Sequence, residues 1–74
     1  MEDSTKWYRT VVETPLGTVY GSPLELTDLQ YTERLNFLKN SYNYNFMRFE
    51  SPRGDIIIPG DMIKKSFILL EKMD

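Results

Sequence analysis

The stretch Phe46–Lys72, FMRFESPRGDIIIPGDMIKKSFILLEK, constrains the fold more than any other part of the chain. The alternating segment Phe46–Glu50 precedes two apolar runs of near-strand length, Ile56–Ile58 and Phe67–Leu70. Turn-forming residues part them: Ser51-Pro52-Arg53-Gly54-Asp55, then Pro59-Gly60-Asp61. Proline presets a turn and glycine relaxes its backbone, so the pattern predicts a three-strand antiparallel meander. Alternation sets Phe46, Arg48 and Glu50 on one face of the first strand and Met47 and Phe49 on the other. The β-branched run Ile56-Ile57-Ile58 predicts a strand buried centrally or covered on both sides. Asp61–Lys65 reads as a turn of helix or an irregular connection, and Glu71–Asp74 as an end fading into solvent.

Upstream, Trp7–Thr14 (WYRTVVET) alternates with apolar and polar residues mixed on both faces. That suits an edge strand, or one covered on part of each side. Pro15-Leu16-Gly17 supplies a turn, Thr18–Gly21 a short return strand, and Ser22-Pro23 its end. A helix is predicted from Thr27. Thr27 and Gln30 stand at capping-box spacing, Leu26 and Tyr31 at hydrophobic-staple spacing, and Asp28 favours the positive end of the helix dipole. Tyr31, Leu35, Leu38 and Tyr42 form one narrow apolar stripe. The helix should end within Asn40–Asn45 through an asparagine in the left-handed cap conformation. The fold class is therefore α+β: an antiparallel sheet of order β-β-α-β-β-β with one helix packed on one face. Residues 1–5 read as a frayed leader and 6–74 as a single domain.

A chain of 74 residues has room for one small core, and without cysteine no disulfide reinforces it. Ten aromatic residues compensate, each able to bury roughly 150–250 Å2. The lack of both His and Cys excludes Cys–His and Ser–His catalysis, thiolate metal sites and imidazole ligation. No close carboxylate pair is set for acid–base work or a calcium loop, and the four glycines build no phosphate-cradling loop. The expectation is a non-enzyme with no cofactor and no metal. A net charge of −2 gives no global attraction to nucleic acid. The charge is uneven: residues 1–33 sum to −4 and residues 34–74 to +2. No apolar run approaches the ~20 residues of a membrane span. The polar, acidic start MEDSTKW is unlike a signal peptide, so a cytoplasmic chain without membrane contact is expected.

Three sets of residues are candidates for contact. Leu29 and Phe37, with Glu33 between them, fall off the apolar stripe of the helix. They lie about 12 Å apart along the axis and roughly 80° apart around it. A single sheet covers one helix face, so these side chains are expected either to meet a protein partner or, where the N-terminal hairpin wraps over them, to join the core. Arg53, Lys64 and Lys65 lie on connections and form the next choice, a basic group able to meet an acidic face. Tyr44, Phe46 and Arg48 form an aromatic–basic strand. The segment Tyr42–Phe49, YNYNFMRF, resembles half of the RNP1 sequence of RNA-recognition motifs, which implies stacking of single-stranded nucleic acid. Tyr42 and Asn43 stand where RNP1 has a basic residue and a glycine, and that family needs a second helix. The reading preferred on the residues places Tyr42, Met47 and Phe49 in the core.

From Lys6 to Lys72 the pattern of hairpin, helix and meander, closing on IIPGDMIKKSFILL, resembles small orphan proteins encoded by bacteriophages. The resemblance implies a phage accessory role in the host cytoplasm, binding a host enzyme or sitting within a larger viral assembly. Open sheet edges add an expectation of self-association into a homo-oligomer. The leading expectation is a protein-interaction module; nucleic-acid binding and a self-assembling structural subunit are the other two.

Overall fold

The computed structural model describes residues 4–73. Its elements run β1 (Lys6–Thr14), β2 (Gly17–Tyr20), β3 (Leu24–Leu26), α1 (Asp28–Asn40), a 3-10 turn (Ser41–Asn43), β4 (Phe46–Ser51), β5 (Gly54–Pro59), α2 (Gly60–Ile63) and β6 (Phe67–Met73). The chain is α+β with antiparallel strands and one main helix, and its strand–helix order broadly follows the one expected. Of the expected leader, residues 1–3 lie outside the described residues, while the Thr5 hydroxyl donates to Glu25 Oε2 at 2.6 Å.

Strand pairing departs from the expected meander. β6 pairs with β1, from Trp7 opposite Met73 to Glu13 opposite Phe67. β4 and β5 form a separate two-stranded hairpin. The connection explains the departure. Pro59 has no N–H to donate, and the Gly60 N–H turns away to the Asn45 carbonyl at 2.7 Å. α2 then drives Ile63 fully into the core and hands the chain across to β1. Glu71–Met73, expected to fade into solvent, continue the β6 ladder instead.

β1 is thus the central strand of the larger sheet. Its even-numbered residues face β2 and β3: Val12 opposes Val19, and Tyr8 opposes Leu24. The segment β2–β3 acts as one return strand, broken at Gly21-Ser22-Pro23. Gly21 remains tied to β1 by its N–H to the Thr10 carbonyl, 2.7 Å, while Ser22 N–H reaches the Glu50 carbonyl of β4, 2.9 Å. A Cβ on Gly21 would meet the Phe49 ring at 3.1 Å and the Glu50 carbonyl at 3.3 Å, so the absent side chain lets β4 close on the sheet.

Both hairpin turns use one device. Thr14-Pro15-Leu16-Gly17 and Ser51-Pro52-Arg53-Gly54 each begin with a hydroxyl that donates to the glycine carbonyl (2.7 Å in both) and accepts the N–H two residues on (3.1 Å in both). Gly17 and Gly54 take φ of +137° and +119°, the region where glycine carries no steric cost.

α1 begins as expected. The Gln30 N–H donates to Thr27 Oγ1 and the Thr27 N–H to Gln30 Oε1, a complete capping box. Its end differs. Ser41 at the C-cap is right-handed helical and runs into the 3-10 turn, with no left-handed asparagine among the described residues. The buried Ser41 hydroxyl donates back to the Leu38 carbonyl, so the polar group costs little there.

The core lies between the inner face of the larger sheet and a cover made of α1, the β4–β5 hairpin and α2. Tyr8, Val12 and Leu70 meet Leu38, Met47, Phe49, Ile58 and Ile63. Met47 and Phe49 are core as expected, but Tyr42 lies half out at the helix end. Ile57, expected in a strand covered on both sides, is 63 % exposed on the outer face of the hairpin, because nothing among the described residues covers it. Truncating Ile63 to alanine is expected to cost about 2–5 kcal/mol by urea unfolding. Ile57→Ala should change stability by no more than about 0.5 kcal/mol.

Candidate interaction surfaces

The expected contact face of α1 is open. Leu29 is 71 % exposed and Phe37 38 %, with Glu33 exposed between them. The two are not equivalent. Leu29 stands free in the first turn. Phe37 carries the Arg34 guanidinium over its ring at 5.2 Å and packs against Tyr44 with ring centroids 6.1 Å apart. Phe37 is therefore part of a small surface cluster rather than an isolated anchor.

Arg53, Lys64 and Lys65 are all exposed, but on different elements. Arg53 lies in the β4–β5 turn, whereas Lys64 and Lys65 follow α2. In the third set Phe46 and Arg48 lie on the outer face of β4, while Tyr44 precedes the strand and turns to Phe37. The Arg48 guanidinium is held by Asp55 across the hairpin at 2.7 Å, which neutralises the cation that phosphate contact would need. Among the described residues no three carboxylates gather to hold a metal ion, and no helix is long and apolar enough to cross a membrane.

Two further surfaces depend on the β1–β6 pairing and so were not legible from local pattern. The first is the outer face of the larger sheet, which nothing among the described residues covers. Trp7, Tyr20, Phe67 and Leu69 are exposed there around a buried Val11. Arg9 ties the face together, its Nε donating to Glu71 Oε1 at 2.6 Å and its Cζ lying 4.4 Å over the Tyr20 ring. The stacked cation shields part of the Tyr20 ring.

The second is the free edge of β6 and the groove beside it. Because even-numbered β1 residues bond β2 and β3, the odd-numbered ones bond β6, opposite Phe67, Leu69, Glu71 and Met73. That leaves the backbone N–H and C=O groups of Ile68, Leu70 and Lys72 pointing away from β1, where no strand pairs with them among the described residues. Alongside runs a groove of about 150 Å3 lined by Leu35, Leu38, Lys39 and Tyr42 of the helix side and by Ile68 and Leu70 of β6. Its helix wall is the expected apolar stripe, only partly used: Leu38 is buried, but Leu35 is 39 % exposed. The Tyr42 hydroxyl donates to the Ser66 carbonyl at 3.1 Å and pins the helix end to the start of β6.

Placing a charge on the outward helix face tests whether that face is separate from the core. Leu29→Asp and Phe37→Asp are each expected to lower stability by less than about 1 kcal/mol by thermal or urea unfolding. A loss several times larger for Phe37→Asp would make its cluster with Arg34 and Tyr44 part of the core. Comparison with protein-family models, with curated proteins and with solved structures found no match to this chain.

Proposed function

We propose that the chain is a non-enzymatic protein-interaction module that captures an extended segment of a protein partner as an added strand on β6. The observation that carries this reading is a strand edge unpaired among the described residues, beside a groove the size of one side chain. Main-chain bonds to Ile68, Leu70 and Lys72 would supply affinity, and alternate side chains of the incoming strand would supply specificity. On one side they enter the groove between Leu35 and Ile68. On the other they lie against Phe67 and Leu69 on the outer face of the sheet.

The groove is well below the roughly 300–1,000 Å3 of a small-molecule site, which favours a peptide side chain over a free ligand. Its apolar lining calls for a Leu-, Ile- or Phe-like residue, and Lys39 at the wall calls for an acidic neighbour. β6 also has few of the devices that normally blunt an edge, its charges confined to Glu71 and Lys72 at one end. It has no proline and no bulge in its register with β1, and its one lysine, Lys72, sits near the end. Such a module acts by occupying a surface, as the accessory role implied by the phage resemblance requires.

Selection from a random peptide library, with the bound peptide mapped by amide chemical shifts, tests this reading. The selected peptides are expected to be apolar–acidic, to perturb Ile68, Leu70 and Lys72 most, and to lose binding with Leu35→Asp but not with Leu29→Asp. Peptides mapping to the Leu29–Phe37 face would overturn the β6 assignment. A concentration-dependent dimer mass in the free protein, abolished by Leu35→Asp, would instead assign the edge to a second copy of the chain.

A further inference from the structure

On the other flank of α1 lies a second opening, a cleft of about 390 Å3 where the helix, the Gly21–Ser22 break and β4 converge. Two of its lining residues carry buried side-chain polar atoms with no hydrogen-bond partner among the described residues: Thr10 Oγ1 and Arg34 Nε. Thr10 is only 1 % exposed, on the central strand, in a fold too small to leave polar groups unmatched without consequence. Arg34 is the more telling. Its guanidinium makes no ion pair among the described residues, and burial lowers its pKa because the charged form is poorly solvated. The ring of Phe37 nevertheless holds it in place. A positioned, partly desolvated guanidinium with no ion pair among the described residues, in one cleft with a hydroxyl that has no partner among them, has the chemistry of an anion receptor.

The backbone adds donors. Glu50 carbonyl points to Ser22, so strand alternation turns the N–H groups of Glu50 and Arg48 to that same side, away from β5. The charge around the cleft selects the anion. Arg48 is already met by Asp55, and the Glu50 carboxylate belongs to the same lining. Arg34 is thus the one cation of the lining without an ion-pair partner among the described residues. With Glu50 nearby the formal charge sums to zero, which disfavours a phosphate dianion more than a monoanion. The planar edge of a guanidinium matches a carboxylate in paired hydrogen bonds. Leu24 and Phe49 supply apolar wall for the rest of the ligand. The volume falls within the range of small-molecule sites.

We infer that this cleft binds a small monocarboxylate with an apolar body, its carboxylate held by Arg34 and its body against Leu24 and Phe49. The site lies apart from the β6 groove and stands or falls independently of strand capture.

Titration of 15N-labelled protein with 4-methylpentanoate, and separately with inorganic phosphate, tests the inference through the side-chain Nε–H signal of Arg34. The carboxylate is expected to shift that signal and the Arg48 and Glu50 amides saturably. Arg34→Met should weaken binding by about tenfold or more, the loss of a charge-assisted pair. Its unfolding midpoint should hold or rise, because the half-buried charge has no ion-pair partner among the described residues. Arg34→Lys, which keeps the charge and loses the planar fork, should bind with intermediate affinity; it carries the test should the methionine variant not fold. Equal affinity in the variants, or no saturation by about 10 mM, would overturn the site. Tighter binding of phosphate than of 4-methylpentanoate would overturn the ligand class.

Discussion

The rest of the structure depends on the pairing of β1 with β6. It joins the first strand to the last, Trp7 beside Met73, and makes β1 a central strand with partners on both sides. Only then does the inner face of β1, with Tyr8, Thr10 and Val12, become broad enough to support a core. With no cysteine in the chain, this ladder and the Arg9–Glu71 pair across it tie the first described strand to the last. Contacts this distant in sequence repay their loop-closure entropy late, so the ladder is expected to form after the local hairpins and the capped helix. The same pairing leaves β6 with a free edge, because the β4–β5 hairpin is spent covering the core.

Incomplete cover is the second constraint. A helix is about 10–12 Å across with its side chains. α1 shares the inner face of the larger sheet with a two-stranded hairpin, and the three bodies do not meet without gaps. One gap falls between α1 and β6, lined mainly by apolar residues with Lys39 at its wall. The other falls between α1 and β4, where charged and hydroxyl-bearing residues stand beside Leu24 and Phe49. Their chemistry follows from helix position: Leu35 and Lys39 turn to one flank and Arg34 to the other. Among the described residues nothing fills these spaces, and both proposed sites come from that incomplete cover.

What the sequence made legible was local. The capping box at Thr27 and Gln30, the two proline–glycine turns, the inward set Met47 and Phe49, and the outward set Leu29 and Phe37 all depend on neighbours a few residues away. Ile56–Ile58 misled because β-branching reports strand propensity, not the number of covered faces. The run sits on a hairpin with one dry side, so Ile58 is buried while Ile57 faces out. The partner of β6 was not legible, since an alternating strand carries no mark of the strand it will join and the adjacent β5 was the simplest choice. β3 was hidden for a related reason: Leu24-Glu25-Leu26 is too short to show a period, and Ser22-Pro23 reads as an end when it is a break within one return strand. Arg34 carried no signal at all, because its isolation depends on where Asp55 and Glu50 come to lie in space.

Hydrogen exchange along β6 in the free protein tests the central claim most directly. If β6 pairs with β1 on one side and has an open edge on the other, protection must alternate. Leu69 and Glu71 amides, bonded to β1, should exchange slowly, whereas those of Ile68, Leu70 and Lys72 should exchange near the rate of exposed backbone. Uniform protection of all these amides in the free monomer would contradict the account, for it would mean that the β6 edge is already occupied.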